Sequence, residues 1–185
     1  PVMYYDPSGY ADYDAQFWLD IMRGNDFNKE NRPHYTYNEV RVKGNGKKVY
    51  FVVDSYEPPF FKDGEFIEGQ IVSRKSTQLA EVAESTAIGY LNEADRKYSS
   101  GTEILDIIFN PDELKGKKLE EDLYLEVPEQ NAPIPDAVQK EAERLGITIR
   151  ENTEEHPRTS RNNANNLLDG IGEECDEQIE VEDCP

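Results

Sequence analysis

Charged side chains at two predicted strand ends are the part of this sequence best suited to chemistry. Asp54 directly follows an apolar strand-like run, and the next predicted strand carries Glu68 and Gln70 and then Arg74 and Lys75. Carboxylates bind Mg²⁺, and a cation beside them orients an attacking water or stabilises charge on a phosphate. The set therefore predicts metal-dependent hydrolysis of a phosphodiester bond in DNA or RNA.

We expect Asp54 and Glu68 to bind the divalent metal, with Glu39 on the preceding strand as a further ligand. Gln70 stands where a second strand carboxylate would complete the catalytic set. Lys75 or Arg74 would stabilise charge at the phosphate.

The spacing of these residues constrains which of them share a face. Side chains two apart lie on one face of a strand, so Gln70 and Arg74 share a face with Glu68, whereas Lys75 points the other way. A bulge near Gly69 or Ser73 would bring Lys75 round to them. Without a bulge Arg74 must supply the positive charge beside the carboxylates, and an arginine cannot act as a base.

A purely structural interpretation of the same residues is also open. Asp is common at the start of a turn, as Asp54 would be before Ser55. Arg74 and Lys75 would then be solvated charges at a strand end.

The overall charge bears directly on a nucleic-acid substrate. The 185 residues contain 39 acids and 20 bases, a net charge of −19. A nuclease with this charge must approach a polyanion through a local basic patch. We expect that patch to include Arg74, Lys75 and the charged turn containing Lys115, Lys117 and Lys118, with Gln78 also contacting substrate. The alternative is another activity at the same residues, or an acidic module that binds a basic protein.

Hydrophobic periodicity predicts the elements that hold these residues. The predicted helices cover 11–23, 77–98 and 135–145, and the predicted strands cover 38–42, 48–55, 65–73, 123–127 and 147–150. The result is an α/β (α+β) domain with a central mixed sheet and the order α-β-β-β-α-β-α-β. That order is the order of a restriction-endonuclease-like core, which places an Asp at the end of its second strand.

The first ten residues include Tyr4-Tyr5-Asp6-Pro7-Ser8-Gly9-Tyr10. This segment resembles the motif that closes the RHS/YD-repeat shell of bacterial polymorphic toxins. The resemblance implies a junction at 1–10 and a toxin domain at 11–151. It further implies an exported toxic effector that acts in the cytoplasm of a competing cell and is paired with a cognate immunity protein.

The body of the chain resembles a domain common at the ends of large exported bacterial proteins. The segment Ile71-Val72-Ser73-Arg74-Lys75-Ser76-Thr77-Gln78-Leu79 carries the most specific part of that resemblance. The relatives have Glu at the position of Gln70. The resemblance therefore implies that this chain departs at a candidate catalytic carboxylate, either naturally or through an inactivating change.

The remaining features exclude some classes of protein. Residues 152–185 contain ten acids and two bases and are expected to form an acidic, largely disordered tail. Cys175 and Cys184 lie in that tail as two free thiols or a small disulfide, so the body offers no cysteine nucleophile. No apolar run approaches the roughly 20 residues of a membrane span. The chain also lacks a Gly-x-Ser-x-Gly elbow, a phosphate-binding glycine loop and a His-Glu-x-x-His motif.

Overall fold

A computed structural model describes residues 10–153, with side chains from Phe17 onward. Both cysteines lie outside these residues, as do the predicted junction at 1–10 apart from Tyr10 and the predicted tail at 152–185 apart from Asn152 and Thr153. The helices are α1 (Tyr10–Asn31), α2 (Glu84–Tyr98) and α3 (Asp136–Leu145). The strands are β1 (Tyr37–Lys43), β2 (Tyr50–Glu57), β3 (Phe60–Lys62), β4 (Glu65–Ile67), β5 (Gln70–Arg74), β6 (Asp122–Val127) and β7 (Ile147–Glu151). Short 3-10 helices cover Arg32–His34 and Asp112–Leu114.

Five of the strands form one mixed sheet in the order β1-β2-β5-β6-β7. The pairs β1/β2 and β2/β5 are antiparallel, whereas β5/β6 and β6/β7 are parallel. Parallel neighbours need a crossover, and α2 and α3 supply the two that this sheet requires. The predicted α/β class and the mixed sheet are confirmed. The helices and the five strands of the main sheet follow the predicted order, but the chain forms two further strands, β3 and β4, between β2 and β5.

The predicted third strand at 65–73 is wrong as a single element. Its first half, β4, pairs with β3 in a separate two-stranded ribbon, and its second half, β5, enters the main sheet. The break falls at Gly69, where a Cβ would lie 2.4 Å from Glu121 Cγ and 2.8 Å from the Glu57 carbonyl oxygen. The ribbon turns at Asp63 and Gly64, both with positive φ, the conformation that a two-residue Asp-Gly hairpin turn requires.

Two helices differ in length from their predictions. The helix predicted at 77–98 begins only at Glu84, because the backbone N–H of Leu79 donates to Gln130 Oε1 at 2.7 Å and fixes the preceding segment as a loop. The helix predicted at 11–23 runs on through Gly24 to Asn31, whose side chain donates to the Phe27 carbonyl at 2.8 Å. A single glycine inside a helix costs only about 1 kcal/mol.

The hydrophobic core lies mainly between the main sheet and the helices α2 and α3. Its fully buried members include Ile71, Leu91, Leu125 and Val138. Trp18 on α1 is instead 61% exposed and does not join that core. Among the described residues no helix is both long and apolar enough to cross a membrane.

Candidate active site

Asp54 lies inside β2, directly before the stretch of β2 that pairs with β5, and not at the end of its strand as predicted. The first β2 residue in that pairing is Ser55, which lies opposite Val72. Next to this pair Asp54 Oδ2 accepts a hydrogen bond from the backbone N–H of Arg74, the last residue of β5, at 2.7 Å. The carboxylate thus replaces a backbone acceptor and fixes the end of β5.

The environment of Asp54 favours its protonated form more than water does. Burial raises the pKa of the Asp54 carboxyl, and this effect outweighs the hydrogen bond from Arg74 and the charges of Arg74, Lys75 and Lys97, which lower it. A carboxyl whose pKa is moved toward the working pH is a better proton-transfer group than an ordinary surface Asp.

Lys75 and two residues of α2 form an ion-pair cluster beside Asp54. Lys75 Nζ lies 3.3 Å from Glu93 Oε2, and Lys97 Nζ lies 2.6 Å from Glu93 Oε1. Each of the three side chains is between 22% and 37% exposed, so all of them reach solvent. We call Asp54, Lys75, Glu93, Lys97 and Tyr98 the strand-end cluster.

Tyr98 lies within electrostatic range of both carboxylates of the strand-end cluster. Its hydroxyl donates to the Val52 carbonyl at 2.5 Å. Burial raises the Tyr98 pKa, and the negative charges of Asp54 and Glu93 raise it further. Both carboxylates therefore lie close enough to act on one phenol.

The two carboxylates have pKa values displaced in opposite directions. Burial would raise the pKa of Glu93, but the hydrogen bond from Lys97 and the charges of Lys75 and Lys97 prevail and lower it. Asp54 is displaced upward. Environments that separate the pKa values of neighbouring acids are typical of acid–base sites.

Sequence reasoning found Asp54 and Lys75 but missed Glu93, Lys97 and Tyr98. The available signal was the spacing of Glu93 and Lys97, four residues apart on a predicted helix, which places both on one face. It did not stand out, because an i,i+4 pair of this kind is usually a solvated surface pair.

A cavity of about 530 Å³ adjoins the strand-end cluster. Lys75 lies over the Tyr90 ring at 5.1 Å, and Tyr90 also lines the cavity. Gln78, predicted to contact substrate, lines it as well, but both ends of its amide are engaged: Nε2 donates to the Glu129 carbonyl and Oε1 accepts from the Asn131 N–H. Gln78 therefore holds a loop at the wall of the cavity.

Arg74 and Gln70 lie on the opposite face of the sheet from Lys75. The Arg74 guanidinium is 1% exposed and its Nε bonds Glu126 Oε2 at 2.5 Å, while Gln70 Oε1 accepts from Arg150 Nη1 at 2.7 Å. The side chains of Arg74 and Lys75 therefore point to opposite faces of the sheet, as strand alternation predicted. Gln70–Arg74 runs as one continuous strand, and no bulge brings Lys75 to their face.

The buried charges on that face form a connected network. We call Tyr35, Gln70, Arg74, Glu126 and Arg150 the buried polar network. The Tyr35 hydroxyl donates to Glu126 Oε1 at 3.0 Å and accepts a hydrogen bond from Arg150. Burial, followed by the negative charge of Glu126, raises the Tyr35 pKa. Glu126 thus compensates the charges of two buried guanidinium groups, so we expect the network to contribute to the stability of the fold and not to the chemistry of the site.

The other two expected metal ligands lie apart from Asp54. Glu39 has a φ of 57° and pairs its carboxylate with Arg32. Glu68 lines a separate cavity of about 310 Å³ with Glu120, Glu121 and Asp122. Within residues 10–153 no three Asp, Glu, His or Cys side chains are grouped as a metal ion would need.

The basic residues expected in the charged turn lie in a segment next to β1, an edge strand of the main sheet. Lys118 forms an isolated backbone β-bridge with Glu103, and the Lys117 carbonyl accepts a hydrogen bond from the Ile104 N–H. Ile104 in turn forms a backbone β-bridge with Val42 of β1. Lys115 lies 2.5 Å from Asp112, so its charge is largely compensated.

Comparison with known proteins adds no assignment. No family model, curated protein or solved structure shows a significant match to this chain.

The position of Gln70 gives a direct test of where the site lies. Gln70→Glu would place a carboxylate against Arg150 in the buried polar network, not in the strand-end cluster. We therefore expect growth arrest and nucleic-acid cleavage by this variant to equal those of the unmodified chain, as measured by growth curves and gels. Activity confined to the Glu form would instead place position 70 in the active site.

Proposed function

We propose that this chain carries the toxic effector domain of an exported RHS/YD-repeat polymorphic toxin and that the domain cleaves phosphodiester bonds of DNA or RNA. The observation that carries the proposal is the strand-end cluster, in which Asp54 and Lys75 meet a Glu93–Lys97 pair beside an open cavity. A restriction-endonuclease-like core is part of the proposal, supported by the order of the elements in the main sheet and by the contact of Asp54 with the end of β5.

The chemistry proposed for the cluster uses its own side chains. Asp54, in its ionised form, accepts a proton from the attacking water, and the new oxygen–phosphorus bond forms as the bond to the leaving oxygen breaks. Lys97 binds the charged phosphate oxygens, and Lys75 gives a proton to the leaving oxygen. Solvent then removes the proton from Asp54 and restores that of Lys75. Glu93 is a positioning residue that holds both ammonium groups.

A magnesium requirement is a separate part of the proposal. The residues described fit a Mg²⁺ site poorly, since Asp54 is not joined by Glu39 and Glu68. We therefore route no step through a metal, and the requirement stays a prediction. It is tested by comparing cleavage in excess chelator with cleavage in added Mg²⁺.

The proposed biology places the domain in the cytoplasm of a target cell and pairs it with an immunity protein. The test is tightly controlled expression in a bacterial host, followed by gels of DNA, tRNA and rRNA. We expect growth arrest with degradation of one nucleic-acid class. Growth arrest with every nucleic acid intact would contradict the nuclease and favour a non-nuclease toxin. Normal growth together with binding to a basic protein would favour the acidic binding module.

A further inference from the structure

A surface with exposed apolar side chains extends from the strand-end cluster toward the edge of the sheet. Two cavities, of about 490 Å³ and 630 Å³, share Val49 and Tyr50 in their walls. Tyr50 is 44% exposed and Phe109 is 65% exposed. Aromatic faces open to solvent to this extent are available for stacking.

Cations lie over the aromatic rings along this surface. The Arg41 guanidinium carbon is 4.6 Å from the centroid of the Phe109 ring and 5.9 Å from that of Tyr50. Arg96 and Lys97 lie 5.5 Å and 6.0 Å from the centroid of Phe51. We call this surface the aromatic–basic track; its members are Arg41, Lys48, Tyr50, Phe51, Arg96, Lys97 and Phe109.

The track is continuous with the proposed active site through one residue. Lys97 lines the 490 Å³ cavity together with Lys48 and Phe51, and it also pairs with Glu93. Its charge is one of those that lower the Asp54 pKa. A ligand lying along the track would therefore reach the strand-end cluster.

The charge of the track contrasts with that of the whole chain. Against a net charge of −19, every ionisable member of the track other than Tyr50 is a cation. The acid lining its outer cavity, Asp106, lies 3.8 Å from Lys115. A polyanion is thus the partner whose charge complements this surface.

We infer that the aromatic–basic track binds single-stranded nucleic acid and leads it to the strand-end cluster. The bases stack on Tyr50 and Phe109, and the backbone phosphates follow Arg41, Lys48 and Lys97. A single strand fits because its bases are free to meet exposed rings, whereas those of a duplex are stacked on each other. The inference takes its substrate class from the proposed function.

The test uses the full chain carrying Asp54→Asn, so that bound substrate survives. Fluorescence anisotropy measures the binding of a labelled 12-nucleotide single-stranded RNA, the matching DNA and the duplex. We expect Tyr50→Ala and Phe109→Ala each to weaken binding of a single strand by about tenfold or more. Arg41→Gln should also flatten the dependence of affinity on salt.

The chain offers a matched control for exposed aromatic residues. Phe61 and Phe66, 73% and 57% exposed, form a similar ring pair on the separate ribbon. Phe61→Ala should leave oligonucleotide affinity unchanged. Tyr50→Phe, which keeps the stacking face, should retain most of it.

Three outcomes would overturn the inference. The first is unchanged affinity in both alanine variants, and the second is no binding of any oligonucleotide. The third is loss of self-association in those variants, measured by sedimentation, which would make the track an interface between copies of the chain.

Cleavage by the chain with Asp54 intact is assayed separately. Binding through the track without cleavage would reject the proposed nuclease but keep the inference, whereas cleavage without dependence on the track would do the reverse.

Discussion

Asp54→Asn is expected to lower nucleic-acid cleavage by about 10²- to 10⁴-fold, the usual contribution of a positioned acid–base group. The amide oxygen of Asn can still accept the hydrogen bond from the Arg74 N–H, so the end of β5 stays in place. The measurement is the initial rate on the nucleic acid that the chain degrades. Asp122→Asn, an exposed acid outside the strand-end cluster, is the control and should keep the full rate.

The pH dependence of cleavage tests the role of Asp54 separately from its position. In the proposed mechanism Asp54 acts in its ionised form, so the rate should rise as pH passes upward through its pKa. Because burial raises that pKa, the rise falls at higher pH than for an ordinary Asp. Lys75→Ala lowers the rate, since it removes the proposed proton donor. It also removes a charge that lowers the Asp54 pKa, so the residual rate should rise at higher pH still. A pH profile that does not move in this variant would contradict the proposed contact.

Glu126→Gln is expected to lower the free energy of unfolding far more than the removal of a surface charge such as Asp112. It leaves the buried guanidinium groups of Arg74 and Arg150 without their carboxylate. Removing one partner of a buried ion pair costs about 3–5 kcal/mol, because the remaining charge stays in a poorly solvated site. The measurement is the free energy of unfolding from urea denaturation.

A surface ion pair supplies the comparison for Glu126. Asp112 pairs with Lys115 at 2.5 Å but is 93% exposed, so Asp112→Asn should leave the denaturation midpoint unchanged. Arg74→Met combined with Glu126→Leu should recover part of the stability lost by Glu126→Gln, since it removes two charges together. An unchanged midpoint for Glu126→Gln would show that water reaches this network in solution.

The order of elements followed from the sequence because the periodic runs were long and clearly bounded. The runs around 123–127 and 135–145 gave β6 and α3 to within a residue or two. The break at Gly69 did not follow, because it depends on close approach by Glu57 and Glu121. These contacts join segments distant in sequence, and local patterns carry no trace of them.

The site was predictable only where local spacing determines it. Strand alternation separates Lys75 from Arg74, and that separation holds. The face on which Asp54 acts depends on how β2 meets β5 and α2, which is a tertiary feature. The sequence therefore left Arg74 and Gln70 as candidates, although both are held by Glu126 and Arg150 on the other face.

The contribution of β7 to the buried polar network has a consequence for folding during synthesis. Arg150 lies on the last strand of the described domain, at the edge of the sheet. A chain that emerges from its N-terminal end holds Tyr35, Gln70 and Glu126 long before it holds Arg150. The parallel β6/β7 pairing and the buried charge of Arg150 therefore form at the same stage, once β7 has been synthesised. A partly emerged chain has every residue of the strand-end cluster but lacks the strand that completes the sheet, so the fold is completed only when β7 is present.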